Sequence, residues 1–357
     1  MPKHIDYIIV GQGLAGSAVA LQLLKRNKKV LVVDAAFAHA PSRVAIGMFN
    51  PITGRNSVKT WMADQLFPYL RAFYKSAELQ THQRFFYSIP LYRPFCSIEE
   101  QNEWMGRSVD PIYTDYIDKV FTRPWHDAVK DDFGGLVLRH TGYLDTLGYL
   151  EAVRTLISAR GTLFEELFDD ELLDVDETGV RYKGCSAQHI IFCQGLESTR
   201  WFKWVPVLPL KGEIIRIQCD LRENIMVNRG VYLVPVNQVG SWRVGSTYSL
   251  TDGTKGITEL ARIELMTKLN ELVTFPYTLQ GQEWGFRPTM HDRRPALGTH
   301  PEQKRLHIFN GLGPKGVSLA PYFSDILVQS IENHRPLNKD VDIERYKLLY
   351  WSPSTRI

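Results

Sequence analysis

The sequence predicts an α/β chain interrupted by α+β segments. A Rossmann-like dinucleotide-binding domain is left and rejoined along the chain, and a second, discontinuous domain forms on an antiparallel sheet. Three observations predict this. A β-rich apolar run over 6–10 enters Gly11-Gln12-Gly13-Leu14-Ala15-Gly16, then a helical pattern, then a second apolar run over 30–33 closed by Asp34. From about residue 85 the chain turns aromatic, proline-containing and irregular, and alternating strand patterns occupy much of 206–284. A strand, Gly311-Leu312-Gly313-Pro314-Lys315-Gly316 and a helix then recur near the end, far from the first such unit.

The opening unit meets each physical requirement of a dinucleotide site. Gly11 permits the tight turn out of the strand, Gly13 removes the side chain that would block a pyrophosphate, and Gly16 lets the helix lie close to the strand. Leu14 and Ala15 begin a helix whose N-terminus offers free N–H groups and positive dipole to phosphates. Its Ala18, Leu21, Leu23 and Leu24 fall on spacings that can face a sheet. Asp34, followed by Ala35, stands where it can accept hydrogen bonds from ribose hydroxyls. A carboxylate there disfavours a 2′-phosphate and leaves NAD or FAD. The competing reading is a glycine-rich turn in an ordinary α/β sheet.

Residues 42–51 form a Gly/Ala/Ser stretch without clear period, a loop or a short helix start. The pattern over 60–78 is helical, with Trp61, Leu66, Leu70 and Phe73 as candidates for its buried face. Short strands are expected at 85–89 and 112–121, with a helix over 98–106. Helical spacing through Leu150, Val153, Leu156 and Ile157 ends at Gly161. Leu163-Phe164, Leu172-Leu173 and 180–182 read as strand pieces. The buried strand over 189–193 closes on Gln194-Gly195, where a parallel sheet would again meet a cofactor. Alternation through Ile215, Ile217 and Cys219 marks another strand, 232–235 and 242–247 an antiparallel pair, and 260–273 a helix. The last strand, 306–310, enters the second glycine loop and a helix over 317–331 with Ala320, Phe323, Leu327 and Ile331 along one face. This second loop is expected if a longer cofactor, with a flavin at its far end, spans both; as structure alone it is another βα unit. The division that follows assigns 1–84, 140–205 and 285–357 to the nucleotide domain, and 85–139 and 206–284 to the second.

At 357 residues the chain exceeds one ordinary core, and its 44% hydrophobic and 23% charged residues are those of a globular protein. A formal net charge of +3 gives no support for a strongly basic nucleic-acid surface. No apolar leader precedes the first strand and no run is long enough to span a membrane, so a cytoplasmic protein without membrane contact is expected. Cys96, Cys185, Cys193 and Cys219 form no C-x-x-C pair and have no histidine at ligand spacing; they read as reduced thiols, not a metal site.

Taken in series, several segments resemble the FAD-dependent D-amino acid oxidase superfamily. They are the unit from Gly11 to Asp34, residues 42–51, Gly142-Tyr143-Leu144-Asp145, residues 190–195, Pro209-Leu210-Lys211-Gly212-Glu213, Tyr232-Leu233-Val234-Pro235, Gly285-Phe286-Arg287-Pro288 with Asp292, Pro295 and Gly298, and residues 311–321. The chain is similar in particular to glycine/sarcosine oxidases and to the flavin domain of the bifunctional wobble-uridine tRNA modification enzyme. The resemblance implies a glutathione-reductase-like nucleotide fold. Gly11, Gly13, Leu14, Ala15, Gly16, Asp34 and Ala35 would hold the ADP half of FAD, with Leu172 by the adenine. Ser42, Arg43, Ala45, Gly47 and Met48 would approach the pyrophosphate, ribityl chain and flavin, with Cys193 and Gly195 at the neighbouring strand end. Gly311, Gly313, Pro314, Lys315, Gly316 and Val317 would sit at the pyrimidine edge of the flavin. Tyr232 and Arg287 match positions that bind a substrate carboxylate.

These assignments agree with the chemistry. Arg287 has the fork for a bidentate carboxylate, and Lys315 at a helix N-terminus suits a flavin edge that gains negative charge on reduction. A structural ion pair, a core tyrosine and a solvated loop lysine remain the competing readings of Arg287, Tyr232 and Lys315. No cysteine stands near the flavin-end motifs, so FAD is expected to be non-covalent. The implied activity is oxidation of the C–N bond of a primary or secondary amine or amino acid by hydride transfer to flavin N5, with oxygen or another electron acceptor. The alternatives are removal of a carboxymethyl group from a modified tRNA uridine, and a flavin-bearing binding subunit without turnover. A tRNA partner is the less favoured of these, because the matching methyltransferase domain is absent.

Overall fold

The computed structural model describes residues 3–351 apart from 55–56, 198, 222–223 and 237–238. Its first sheet is built on Lys3–Val10, which lies parallel between Val30–Val33 and Cys185–Phe192. Thr162–Phe164 extends the parallel set beside Val30–Val33, and Leu306–Asn310 joins it beside Cys185–Phe192. The chain therefore returns to this sheet after long excursions. Antiparallel Val180–Tyr182, Leu173–Val175 and Ala296–Thr299 complete its edges.

The sheet is buried on both faces, which explains its unbroken apolar runs. Tyr7 and Ile9 point into one core with the helices Leu14–Lys25, Ala63–Thr81, Thr146–Arg160 and Gly316–Asn333; Ile8 and Val10 point into another with Phe168, Phe192, Phe202 and Trp204. Each such large side chain contributes about 1.5–3 kcal/mol by leaving water. Leu14–Lys25 is buried through Leu24 on every side, because sheet and neighbouring helices enclose it. In Ala63–Thr81 the buried stripe is Ala63, Leu66, Phe67, Leu70, Tyr74 and Ala77, while Trp61 and Phe73 are only half-buried.

The second sheet runs, in spatial order, Thr278–Thr289, Leu208–Gln218, Ser241–Gly245, Val231–Pro235, Met226–Arg229, Leu91–Pro94, Gly135–Leu138 and Ile117–Phe121. One face, with Ile215, Ile217 and Trp242, packs on Leu265 and Leu269 of the helix Glu259–Asn270. The opposite face faces the first unit. Period-two alternation separates the two sides: Ile215 goes to the helix, Gly212 and Ile214 to the interior between the units.

Some expected boundaries move. The strand expected over 112–121 begins only at Ile117, because Asp110 caps a helical turn, Pro111–Thr114, by accepting from the Ile112 N–H at 2.8 Å. Leu172 ends a 3-10 turn, Asp170–Leu172, instead of starting a strand. The domain edge expected at 285 falls inside Thr278–Thr289, which is paired with Leu208–Gln218 along its whole length, so 285–289 belong to the second sheet. Phe86–Tyr87 pairs with Gly142–Leu144 and through it joins Met48–Phe49, so 86–87 belong with the first unit's core and not beyond an edge at 85. Among the described residues, no helix is long and apolar enough to cross a membrane.

Candidate cofactor and substrate cleft

Both glycine loops open on one cleft of about 850 Å³ between the two sheets. Gly11 leaves the first strand at φ +92°, and a Cβ there would lie 2.6 Å from the Cys193 carbonyl oxygen. A Cβ on Gly16 would lie 1.8 Å from the Gly11 oxygen, so helix and turn touch backbone to backbone. The helix starts at Leu14 without a side-chain cap from Gly13; its Leu14 N–H donates instead to Ser42 Oγ at 3.0 Å. The helix Gly316–Asn333 packs beside it, and a Cβ on Gly316 would meet Leu14 at 2.9 Å. Two helix N-termini thus converge on the cleft, an arrangement that favours anions.

Asp34 lines this end. Its Oδ1 accepts from the Gln12 N–H at 2.8 Å and its Oδ2 from the Ala36 N–H at 2.9 Å. Arg154 pairs with the same carboxylate at 3.3 Å, bonds Gln12 Oε1 at 3.1 Å, and pairs with Glu165 at 3.1 Å. A carboxylate has about four acceptor positions, so room remains for a ribose hydroxyl. Cys193 lies against Gly11 and Gly16, fully buried, and burial pushes its thiol pKa up. It is an inert thiol at the dinucleotide end. The Gln194 Oε1 beside it is buried and has no hydrogen-bond partner among the described residues, and Gln194 lines the cleft.

The far end is built on the second sheet. The register sets Gly212 opposite Gly285, Ile214 opposite Gly245, and Gly245 opposite Tyr232, so these residues share one face. Arg287 lies on that face, two residues beyond Gly285. Its guanidinium lies over Gly212, where a Cβ would come within 2.2 Å of its nitrogens. It donates to Ser246 Oγ at 2.8 Å and to the Thr247 carbonyl at 3.5 Å. Among the described residues no carboxylate pairs with it, which removes the structural ion pair as its explanation. Burial lowers its pKa to about 10, and it remains a cation. Tyr232 lines the same cleft, and burial raises its pKa, with Arg93 and an Asn228 hydrogen bond opposing.

Lys315 lines the cleft from the loop after Leu306–Asn310. Burial first, then the charges of Arg294 and Arg293, lowers its pKa. Lys315 is half-buried, unlike a fully solvated loop lysine. The loop is tied to the end of the second sheet by a bridge between Thr289 and Leu312.

Of the residues expected from sequence, Gly11, Gly13, Leu14, Ala15, Asp34, Ala35, Ser42, Arg43, Ala45, Gly47, Met48, Cys193, Gly195, Tyr232, Arg287, Gly311, Gly313, Pro314, Lys315, Gly316 and Val317 all line this one cleft. Gly16 stands behind it as the helix-to-turn contact. Leu172 does not reach it: its side chain is 48% exposed, and Leu167 and Phe168 line the wall there. Sequence reasoning missed Arg154, Ser246, Arg293 and Arg294. The adjacent arginines after Asp292 were a readable signal; Arg154 and Ser246 gave none, because only the fold brings them near Asp34 and Arg287. The paired helix N-termini, the partnerless Gln194 oxygen and the far loop fit a flavin dinucleotide spanning both ends.

Comparison with known proteins agrees. A family described as "FAD dependent oxidoreductase" (DAO) matches residues 6–330. Glycine oxidase of Bacillus subtilis is 21% identical, over 95% of this chain and 96% of its own. The tRNA 5-methylaminomethyl-2-thiouridine biosynthesis bifunctional protein MnmC of Shewanella amazonensis is 22% identical, over 94% of this chain and 58% of its own. The chain spans about half the length of the bifunctional curated relatives it matches. The crystal structure of glycine oxidase from Geobacillus kaustophilus shares the fold, with a TM-score of 0.77 at 19% identity over 96% of this chain and 98% of that one.

Proposed function

Because the chain belongs to the DAO family of FAD dependent oxidoreductases, we propose that its substrate is a primary or secondary amine carrying a carboxylate, an amino acid or close analogue, oxidised at the C–N bond. One observation carries this reading: Arg287 stands in the cleft as a cation without a carboxylate partner among the described residues, its fork fixed by Ser246 and Thr247 over Gly212. A half-buried cation so placed calls for an anion. Arg287 would hold the substrate carboxylate by two parallel hydrogen bonds and so aim the adjacent carbon. Tyr232, on the same sheet face, would donate its hydroxyl to that carboxylate, since its raised pKa keeps it protonated.

At the other end, Asp34 would accept from the ribose, and the N–H groups at the start of Leu14–Lys25, with Ser42, would face the pyrophosphate. Gly311, Gly313, Gly316 and Lys315 would border the flavin's pyrimidine edge, where Lys315 offsets negative charge. FAD, when bound, supplies a two-electron acceptor. Cys193 is buried at the dinucleotide end with its thiol held protonated, which supports non-covalent attachment. No protein base is needed if the amine reaches the cleft neutral, its ammonium proton already left in solvent.

The test begins with an absorption spectrum of the purified protein. Acid precipitation should leave intact FAD in the supernatant. Anaerobic mixing with a panel of amines, amino acids and their decarboxylated counterparts should bleach the flavin only with carboxylate-bearing amines. Bleaching by simple alkylamines as fast as by amino acids would sink the Arg287 reading. Bleaching by a carboxymethylaminomethyl-uridine tRNA alone would favour the tRNA alternative.

A further inference from the structure

We propose that Arg293 and Arg294 form a second anion subsite at the mouth of the cleft, and that the substrate carries a second anionic group, carboxylate or phosphate, besides the carboxylate on Arg287. This rests on the proposed role of Arg287. Both arginines line the cleft in the turn between Thr278–Thr289 and Ala296–Thr299. Arg287 lies on the first of these strands, so the two cation sites belong to one continuous wall. The Thr289–Leu312 bridge brings the Lys315 loop alongside, which concentrates three positive charges there.

One carboxylate lines the cleft beside these arginines. Asp292, the adjacent carboxylate, is committed elsewhere: it accepts from Arg345 Nε at 2.9 Å, from the Tyr346 hydroxyl at 3.2 Å and from the Arg294 N–H at 2.9 Å. Among the described residues neither Arg293 nor Arg294 forms an ion pair. The Arg294 guanidinium lies 3.9 Å from the centre of the Trp61 ring. Stacking fixes its plane and leaves its N–H fork unspent, the condition in which arginine recognises a planar or tetrahedral anion. Arg293 is held at φ +58°, a left-handed conformation in which a glycine would be at ease. Its exposed cationic head, without an ion-pair partner among the described residues, stands beside the stacked Arg294 fork, and the two together offer a site for an anion.

The placement proposed above for the cofactor gives its charged parts other partners. The anion-favouring N–H groups near Gly13 and Ser42 lie at the dinucleotide end, and Lys315 already serves the pyrimidine edge. Thr53, Gly54, Val58, Thr60 and Trp61, none of them acidic, line the same cleft, and Arg294 lies over the Trp61 ring. A substrate anchored by one carboxylate on Arg287 would extend its far end toward this wall.

The flavin-loaded protein tests this without turnover. Acetate, succinate, glutarate and 3-phosphonopropionate are titrated at low salt, with binding read from the shift of the flavin's visible spectrum. We expect the dianions to bind about tenfold or more tightly than acetate. That advantage should shrink with added salt and collapse in the Arg293→Gln/Arg294→Gln protein. Arg294→Lys, which keeps the charge but loses the fork, should retain part of it. The phosphonate-to-succinate ratio identifies which anion the subsite prefers. Dianions binding no better than acetate, or an advantage surviving the double substitution, overturns the subsite and leaves the Arg287 reading standing. If no carboxylate binds, both fall. If bulk tRNA binds through these arginines while succinate gains nothing, the subsite serves a polyanion and the small-substrate proposal is overturned.

Discussion

Gly212 shows how far a single residue's role depends on its partner across the sheet. Its lack of a side chain is what lets the Arg287 guanidinium lie flat on the strand, and the clash of an added Cβ would be with the mobile end of that arginine. Gly212→Ala should therefore leave the fold almost intact and move the fork. The expected result is a ten- to hundredfold loss in carboxylate affinity, about 1.5–3 kcal/mol, with little change in melting temperature or FAD content. Titration of the flavin spectrum with acetate measures it; wild-type affinity in the alanine protein would show that the fork tolerates displacement. Asp34→Ala is expected to act at the opposite end. It removes the acceptor of the Gln12 and Ala36 N–H groups and the partner of Arg154, so FAD should dissociate faster while the reactivity of retained flavin stays near wild type. Fluorescence of released FAD reports this, and unchanged release would mean that Asp34 serves only its own loop. Arg287 and Gly212 were both legible as residues in the sequence. Their stacking was not, because it depends on a register between segments more than seventy positions apart.

At the scale of elements, the two strand–glycine loop–helix units were legible because their chemistry is local: a turn that only glycine allows, then a helix start. The same locality explains what was misplaced. Ile112 has strand-like neighbours, but Asp110 captures its N–H and winds a helical turn. The edge expected at 285 failed because Thr278–Thr289 is one long strand whose two ends serve different parts of the cleft. The segment Pro209-Leu210-Lys211-Gly212-Glu213 shows the period-two logic in full. Gly212 faces the cleft, while Lys211 and Glu213 point the other way, both 1% exposed. Lys211 pairs with Asp252 at 2.9 Å and with Glu213 at 3.3 Å; Glu213 also accepts from Thr258 and Gln282. Together they hold the segment from Ser246 to Thr258, and Ser246 is what fixes Arg287. Lys211→Met leaves Glu213 as an uncompensated buried charge, and a loss of about 3 kcal/mol is expected in denaturant unfolding. Carboxylate affinity should fall as well, although Lys211 does not line the cleft. The Lys211→Met/Glu213→Gln protein should regain part of the stability. A Lys211→Met protein with full carboxylate affinity would show that Ser246 is held by other means.

At the scale of the whole molecule, residues 40–48 of the first unit line the cleft and are held against the second sheet. Trp284 stacks on His39 at 5.0 Å, and Arg243 bonds the Ala45 carbonyl at 2.9 Å, so this segment is gripped from the second sheet. Glycine oxidase from Geobacillus kaustophilus shares this fold at 19% identity, so most side chains can differ while the fold is kept. One departure from an apolar interior crosses the first sheet. Tyr7 stacks on His189 at 5.2 Å, His189 Nδ1 lies 3.0 Å from His307 Nε2, and His307 Nδ1 lies 2.9 Å from Thr299 Oγ1. Tyr7 also donates to Glu332, which pairs with Lys28.

This buried row makes the stability of the whole fold depend on pH. Burial, with Arg305 adding to it, lowers the His189 pKa to about 4, and burial beside His189 puts His307 well below its ordinary value. Unfolded histidines titrate near 6.5. Between that value and about 4 the unfolded chain binds protons that the folded chain refuses, so stability is full above pH 6.5 and falls as the pH drops through this window. For the two histidines together, about 2 kcal/mol should be lost between pH 6 and pH 5. Glu332 works in a lower window: against its burial, the Lys28 and Tyr7 contacts hold its carboxyl down, and that contribution is lost only as the pH falls below the ordinary carboxylate range. Urea unfolding at pH 6 and pH 5 lies above the Glu332 window, and because burial also lowers the pKa values of His140 and His300, the row's share is read by comparison with a variant. A His189→Gln/His307→Gln protein should be less stable at pH 7 yet show a much smaller drop between the two pH values. If wild type and variant lose the same amount, the pH dependence arises elsewhere, and the histidine row is a neutral hydrogen-bonded spacer beneath the helix that carries the second glycine loop.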